Sequence, residues 1–177
     1  MRLKIFFIAA ALIYTHIVIA CCIADELSEP EMIAQEYMTA FFHGNLERSF
    51  SLMHPDVLIK QKKAIVDAYE TAKKEGNAEK FRQDFPSIDD LDSTLQLPAK
   101  DLFILLAQKS LENAPEQDRE AMKKTVVEVI GSSSADNGTV RVSLVVTTPT
   151  PTGPQKQNAG LILRRYMGKW RVVKNAE

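Results

Sequence analysis

The chain has 177 residues, of which 45% are hydrophobic and 25% charged, and its formal net charge is −1 at pH 7. These fractions are ordinary for a globular protein, and about 150 residues beyond the N-terminal segment suffice for one domain with a single core. The 22 Lys and Arg are balanced by 23 Asp and Glu without a long run of either sign, which gives nucleic-acid binding little support.

The first 24 residues differ in composition from the rest of the chain. Arg2 and Lys4 come first, a mainly apolar run extends from Ile5 to Ala20, and small or apolar residues follow up to Ala24. A short cationic start, an apolar core and a small residue before a cleavage point are typical of an export signal. Both cysteines of the chain lie in this segment, so we expect the exported body to rely on its core rather than on disulfides.

A four-residue motif lies at the end of this apolar run. Val18-Ile19-Ala20-Cys21 resembles the lipobox of bacterial lipoproteins, in which the cysteine is acylated and becomes the first mature residue. Two or three acyl chains give a stable anchor, because each buried methylene contributes roughly 0.8 kcal/mol. The resemblance implies a signal peptide at 1–20, lipidation of Cys21, and a tether at 21–27. It also implies a body that faces the periplasm from the cell membrane or the outer membrane.

Two other fates of this segment remain open. Cleavage after Ala24 would release a soluble secreted protein that begins at Asp25. Alternatively the segment is not cleaved, since Ile5 to Ala24 is 20 residues long and about 20 residues span a bilayer. Thr15 and His16, near the middle of the run, make the spanning alternative weaker.

The body begins with a helical region. Ser28-Glu29-Pro30-Glu31 predicts a capping box at the start of a first helix, which carries a broad apolar stripe and ends near Gly44. Asn45 is expected to cap a short second helix that ends at His54-Pro55. The apolar run at 57–59 predicts a short strand, and a third helix is expected at about 62–74.

A helical insertion is predicted at about 77–124, after Gly76 ends the third helix. Ser87 to Pro98 is expected to form a loop. Leu102 to Leu111 predicts a buried helix that is bounded by Pro98 and Pro115.

After Thr125 the hydrophobic period changes from 3.6 to 2, which predicts strands. Asp136-Asn137-Gly138 is a strong hairpin signal, because Asn-Gly supplies the positive φ angles of a tight turn. Thr147 to Pro154 carries three prolines and predicts a loop or an extended edge. Met167-Gly168 is expected to turn the chain into a last strand at 170–173. Helices followed by an antiparallel meander of four strands predict a single α+β domain at 28–177.

Two segments of the body resemble a known family. The run from Ala34 to Val57, with its break at Gly44-Asn45-Leu46-Glu47, resembles the opening of nuclear transport factor 2-like (SnoaL-like) domains. The ending at 161–173, with Gly168-Lys169-Trp170-Arg171-Val172-Val173, resembles their last hairpin. The resemblance implies helices packed on a curved antiparallel sheet, a cystatin-like cone with a pocket at its wide end. The helical insertion is longer than compact members of the family need, and it is expected to cover or fill the pocket.

Candidate site residues are few. Enzymes of this family move protons with Asp, His or Tyr inside the cone, but no residue pair here matches theirs, so no catalytic residue is assigned. No metal site and no cofactor is predicted, since neither the two histidines of the body nor the acidic residues at 89–92 follow a ligand motif. Tyr37, Tyr69 and Arg164 are weak ligand-binding candidates. Arg164 belongs to a set of strand arginines that would form an anion-binding patch if alternate ones share a face: Arg141, Arg164, Arg165 and Arg171.

These observations favour a non-catalytic, exported and membrane-tethered envelope domain. Its expected partners are the membrane through the lipid anchor, and either a small apolar ligand or another envelope protein, with no nucleic acid. One alternative is an isomerase or dehydratase that uses the cone pocket, which requires a titratable side chain inside it. Another is a structural component of an envelope complex, which requires an exposed apolar patch, expected at 102–111.

Overall fold

The computed structural model describes residues 27–85, 88 and 90–175. The signal peptide at 1–20, the lipidation of Cys21 and the two alternative fates of the N-terminal segment therefore lie outside the described residues. Within those residues no helix has both the length and the apolar character needed to cross a bilayer.

Seven helices precede a four-stranded antiparallel sheet in the described part of the chain. The helices are α1 (Glu29–Phe42), α2 (Leu46–Leu52), α3 (Pro55–Lys74), α4 (Ala78–Arg82), α5 (Leu91–Thr94), α6 (Ala99–Asn113) and α7 (Glu116–Lys123). The strands are β1 (Val126–Ala135), β2 (Thr139–Thr150), β3 (Gly153–Tyr166) and β4 (Lys169–Asn175), and their order in the sheet is β1-β2-β3-β4. The predicted α+β class, with helices first and a meander of four strands after them, is confirmed.

The first two helices begin and end at the residues that the sequence indicates. The Glu31 carboxylate accepts hydrogen bonds from the Ser28 backbone amide and the Ser28 hydroxyl, both at 2.7 Å. Gly44 follows α1 with a φ of +75°, a left-handed conformation that glycine adopts without steric cost. The Asn45 side-chain oxygen accepts from the Arg48 amide at 3.2 Å and so caps α2.

The strand predicted at 57–59 is wrong, because these residues form the first turns of α3. The helix begins at Pro55, where the missing amide hydrogen has no helical partner, and His54 Nδ1 accepts from the Asp56 amide at 3.3 Å. Leu58 is buried and shares a helix face with Tyr69, whereas Ile59 is 59% exposed. Three consecutive apolar residues suggested a strand, but only one of them faces the core at helical spacing.

The segment at 77–124 contains the four helices α4 to α7. The predicted bounds of α6 are confirmed, since Pro98 and Pro115 each lie at the N-terminal cap of a helix. The loop predicted from Ser87 to Pro98 is wrong in part, because it contains the single turn α5. The Asp90 side chain accepts from the Ser93 amide at 3.0 Å, and this local hydrogen bond stabilises a turn too short for periodicity to reveal.

Both predicted tight turns of the sheet are confirmed. Asn137 and Gly138 have φ of 59° and 69°, and Met167 and Gly168 have φ of 49° and 80°. The segment from Thr147 to Pro154 is extended and paired rather than a loop, and Thr150 lies opposite Gly153. Pro149 is tolerated because β1 pairs with β2 only as far as Thr147, and Pro154 because β4 pairs with β3 only as far as Leu161, so no outer strand needs an amide hydrogen at either position. Pro151 lies in the turn between the two strands.

Most of the buried apolar residues form two clusters. The sheet core lies between α1 and one face of the sheet, and consists of Ala34, Val127, Val142, Leu144, Val146, Leu161, Leu163 and Val172. The helical core lies among α3, α5 and α6, and consists of Tyr69, Leu91, Leu95 and Leu102. The opposite face of the sheet contributes to neither cluster.

Candidate binding sites

A cavity of about 390 Å³ opens between α1 and β3 at the edge of the sheet core. Its walls are mainly apolar: Tyr37, Met38, Phe41 and Phe42 from α1, with Ala159 and Leu161 from β3. We call it the Tyr37 cavity. The apolar stripe of α1 supplies one wall, and three of these side chains, Tyr37, Met38 and Phe42, also pack against the sheet core.

Tyr37 and Asn175 supply the polar side chains among the residues that line this cavity. Burial raises the pKa of the Tyr37 hydroxyl above its ordinary value. The hydroxyl therefore stays protonated at neutral pH and can donate one hydrogen bond to a bound molecule. His43 is not among the lining residues, and its Nε2 lies 3.3 Å from the Thr125 carbonyl oxygen at the start of β1.

Tyr69 lies in the helical core and is 1% exposed. Its hydroxyl donates to Asp92 Oδ2 at 3.0 Å, and Lys73 and Arg82 bind the same carboxylate at 2.8 and 3.1 Å. The Lys73 ammonium holds the pKa of Asp92 below its ordinary value, and the Tyr69 hydroxyl lowers that pKa further. The contacts of Tyr69 serve packing and the joining of α3, α4 and α5, while its role as a ligand-binding residue stays a prediction.

Arg164 lies at a corner of the sheet where the junction of α2 and α3 touches β3 and β4. Arg164 and Arg171 are direct neighbours across these strands. Arg164 Nη2 lies 3.1 Å from His54 Nε2, and Arg171 Nη1 donates to the Ser51 carbonyl at 2.9 Å. The His54 ring also packs edge-on against Tyr166, with 4.7 Å between ring centres. We call His54, Arg164, Tyr166 and Arg171 the arginine corner.

The environment of His54 favours its neutral form. Burial lowers the pKa of its imidazole, and the Arg164 charge lowers it further. A neutral imidazole has one acceptor nitrogen, whereas both ring nitrogens face donors, the Asp56 amide and the Arg164 guanidinium. In a given tautomer only one ring nitrogen of His54 accepts a hydrogen bond. The other nitrogen carries the proton and is in van der Waals contact with the donor that faces it.

The strand arginines do not all share a face. Leu163 and Val172 lie opposite each other in the sheet core, and Arg164 and Arg171 therefore project from the other face. Arg141 lies opposite Ile162 and projects from that same face. Arg165 projects on the α1 side, 3.7 Å from Glu29 and with its guanidinium 5.2 Å from the centre of the Trp170 ring.

Two larger but open grooves lie along α7. One, of about 680 Å³, separates α7 from α2 and α6, and Ile104 and Leu111 lie in it among charged side chains. The other, of about 630 Å³, lies between α7 and the tip of the β2–β3 hairpin. Among the residues that the structure describes, no group of three His, Cys, Asp or Glu has an arrangement that suits a metal ion.

Comparison with protein families, with curated proteins and with solved structures yields no match to this chain. The assignment of a site therefore depends on the geometry above.

Sequence reasoning did not identify two parts of these sites. From the sequence, no site role was assigned to His54. This residue precedes a proline at a helix start, and it is only 2% exposed in the arginine corner. Sequence reasoning also did not identify Ala159, whose small side chain leaves space opposite Phe41 and Phe42. The signal for the second was present, because Asn158-Ala159-Gly160 interrupts the bulky alternation of β3 with small residues.

Proposed function

We propose that this chain is a nuclear transport factor 2-like domain of the bacterial envelope. It is exported, tethered to a membrane by acylation of Cys21, and non-catalytic, and it binds a small apolar ligand in the Tyr37 cavity. The observation that carries the ligand-binding part is the cavity itself, which lies between α1 and β3 and has mainly apolar walls.

The size and chemistry of the cavity favour a small apolar ligand. Ligand pockets usually measure about 300–1,000 Å³ and combine apolar walls with few polar groups. The Tyr37 cavity, at about 390 Å³, lies at the lower end of that range. Its protonated tyrosine hydroxyl suits a ligand with one hydrogen-bond acceptor, such as a carbonyl or ether oxygen.

The same lining residues give less support to an enzyme. Proton transfer to carbon requires a base whose pKa lies near the working pH, together with a donor for the developing negative charge. Tyr37 is suited only to the second role, because its raised pKa makes it a poor base at neutral pH. The Asn175 amide does not titrate, so no residue that lines the cavity serves as the base.

A purely structural role also has less support. That role requires an exposed apolar patch on α6, yet every apolar side chain from Leu102 to Leu111 is buried or half-buried. Phe103 of this helix stacks on Phe50 at 6.2 Å between ring centres, and Leu106 packs against the helical core.

A fluorescent apolar probe tests the ligand site. Ala159→Phe fills the space opposite Phe41, whereas Val145→Phe adds the same ring on the opposite face of the neighbouring strand and serves as the matched control. We expect Ala159→Phe to abolish probe binding and Val145→Phe to retain it, with both variants folded by circular dichroism. Equal binding by the two variants would place the probe elsewhere and overturn the proposal.

Mass spectrometry of the protein taken from its own membrane fraction tests the tether. We expect a chain that begins at Cys21 and carries extra mass that persists on denaturation. A chain that begins at Asp25 without added mass would refute the lipid anchor.

A further inference from the structure

Charge is distributed unequally between the helices and the sheet. Residues 126–175 contain seven Lys and Arg against two Asp and Glu, whereas residues 25–125 contain 13 against 20. The near-neutral total therefore conceals a basic sheet and an acidic helical region. A charge balance taken over the whole chain does not reveal this separation.

Most of the basic side chains of the sheet share the face opposite α1. The strand register places these side chains on the face that does not contribute to the sheet core. They are Arg141, Lys156, Arg164, Lys169, Arg171 and Lys174. All but Arg171 are exposed, and Arg171 is half-buried. Glu128 is the acidic residue on this side of the four strands. We call this surface the basic face.

The β3–β4 turn forms one end of the basic face. Met167, at its tip, is 86% exposed and lies two residues before Lys169. Lys169 pairs with Tyr166, and Arg164 and Arg171 form the next pair that projects from the same face. An exposed apolar side chain with cationic neighbours suits the boundary between lipid headgroups and acyl chains. The contacts of the arginine corner occupy one nitrogen each of Arg164 and Arg171, while a guanidinium carries five N–H donors.

The described chain begins at this same end. Glu29, two residues after Leu27, lies 3.7 Å from Arg165, which is adjacent to Arg164 in β3. Six residue steps separate Leu27 from Cys21, and a fully extended chain spans at most about 20 Å over that length. An acyl anchor on Cys21 would therefore hold the β3–β4 turn close to the membrane surface.

We propose that the β3–β4 turn and the basic face contact an anionic phospholipid surface, so that the acidic helices point away from it. This inference rests on the tether of the proposed function. Charged lipid headgroups attract basic side chains within a Debye length, about 8 Å at physiological ionic strength, and the short tether keeps the turn near that range. The basic side chains extend over three strands, and the apolar and aromatic residues among them, Val145, Ile162 and Tyr166, are half-buried. Cations spread over a face in this way suit a diffuse anionic surface.

Lysine footprinting of the mature protein, as the cell processes it, tests the orientation. The protein is mixed with vesicles of phosphatidylcholine alone or with added phosphatidylglycerol, and lysine acetylation is measured by mass spectrometry. We expect Lys169 and Lys174 to be protected only on the anionic vesicles and to lose protection at high salt. Lys60 and Lys80, exposed on the helices, are expected to react equally in both. Protection of Lys60 and Lys80 instead, or no difference between the vesicles, would overturn the proposal.

Paired charge reversals give the matched comparison. Lys169→Glu with Lys174→Glu changes the net charge as much as Lys60→Glu with Lys80→Glu does. We expect the first pair to weaken binding to anionic vesicles by at least about tenfold and the second to change it little. Equal losses would show that only net charge matters. If Lys169 and Lys174 become protected without vesicles as the protein concentration rises, the face binds a second copy of the chain. If short duplex DNA protects them more than vesicles do, the face binds nucleic acid. Either result would overturn the proposal.

These measurements separate the two proposals. If the chain begins at Asp25 without acyl chains but Lys169 and Lys174 are still protected on anionic vesicles, the tether fails and the basic face stands. If the chain is acylated at Cys21 but these lysines react equally on both vesicle types, the tether stands and the basic face fails.

Discussion

The sheet half of the molecule, α1 with β1 to β4, and the helical half, α3 to α6, are stabilised in different ways. The sheet core is a continuous apolar layer to which every strand contributes an alternating row of side chains. The helical core is smaller, and beside it lies a charged cluster in which Lys73 and Arg82 meet on Asp92 above the Tyr69 ring. The sheet half is therefore stabilised by one apolar layer, whereas the helical half combines a smaller apolar core with a charged cluster around the Tyr69 hydroxyl.

The largest effect is expected from a cavity in the sheet core. Leu144 is fully buried on β2, one of the two inner strands, and Leu144→Ala removes apolar contacts within the sheet core and leaves a void. We expect a loss of about 2–5 kcal/mol in the free energy of unfolding, measured by urea denaturation. Ile59→Ala, at an exposed position of α3, is the control and should stay within about 0.5 kcal/mol of the wild type. Equal losses for the two would contradict the division into core and surface.

A smaller and more local effect is expected in the helical half. Tyr69→Phe keeps the ring that packs 5.3 Å from Phe81 but removes the hydroxyl that donates to Asp92. The cost should be about 1 kcal/mol, because Lys73 and Arg82 still bind the carboxylate. Amide hydrogen exchange should accelerate in α3 and α5 while β2 and β3 remain protected. Uniform acceleration across the sheet would show that the two halves unfold as one.

The two halves also differ in how well the sequence predicted them. Alternation at 140–146 and the Asn-Gly turn identify the hairpin locally, because a strand with one buried face has a period of two wherever its partners lie. In the helical half, α5 is a single turn stabilised by Asp90, and the start of α3 depends on Pro55 and the His54 cap, neither of which produces a period.

The candidate sites were less predictable than the fold. Tyr37 was recognisable as a residue of an apolar helix face, but the cavity beside it exists because Ala159 approaches from a distant strand. Asp92 falls in the segment that the sequence predicts as a loop, and its partners, Tyr69 and Lys73, lie on another helix, so no local pattern links them. Such sites depend on long-range packing, which a single sequence does not encode in any local pattern.

The arginine corner joins the two halves and should make their contact depend on pH. Burial, and after it the charge of Arg164, lowers the pKa of His54 in the folded protein below its value of about 6.5 in the unfolded chain. The unfolded state then binds the proton more tightly. The contribution of His54 to the free energy of unfolding is therefore fully present above pH 6.5, and it decreases as the pH falls toward the folded pKa. His54→Gln should flatten the decrease between pH 7 and pH 5 in urea denaturation. An unchanged slope in the variant would assign the pH dependence to other groups.

The smallest effect is expected from a surface ion pair between α1 of the sheet half and the neighbouring helix α2. Arg48 of α2 and Glu36 of α1 meet in a side-chain ion pair, but both side chains are more than 40% exposed. Water and salt weaken such a pair, and holding two long side chains in place has an entropic cost, so Glu36→Gln should lower stability by less than about 1 kcal/mol. The loss should shrink further in high salt, whereas the loss from Leu144→Ala should not. If Glu36→Gln lowered stability as much as Leu144→Ala does, a solvent-screened contact between α1 and α2 would matter as much as the buried sheet core. Apolar packing would then not be the main stabilising contribution in the sheet half.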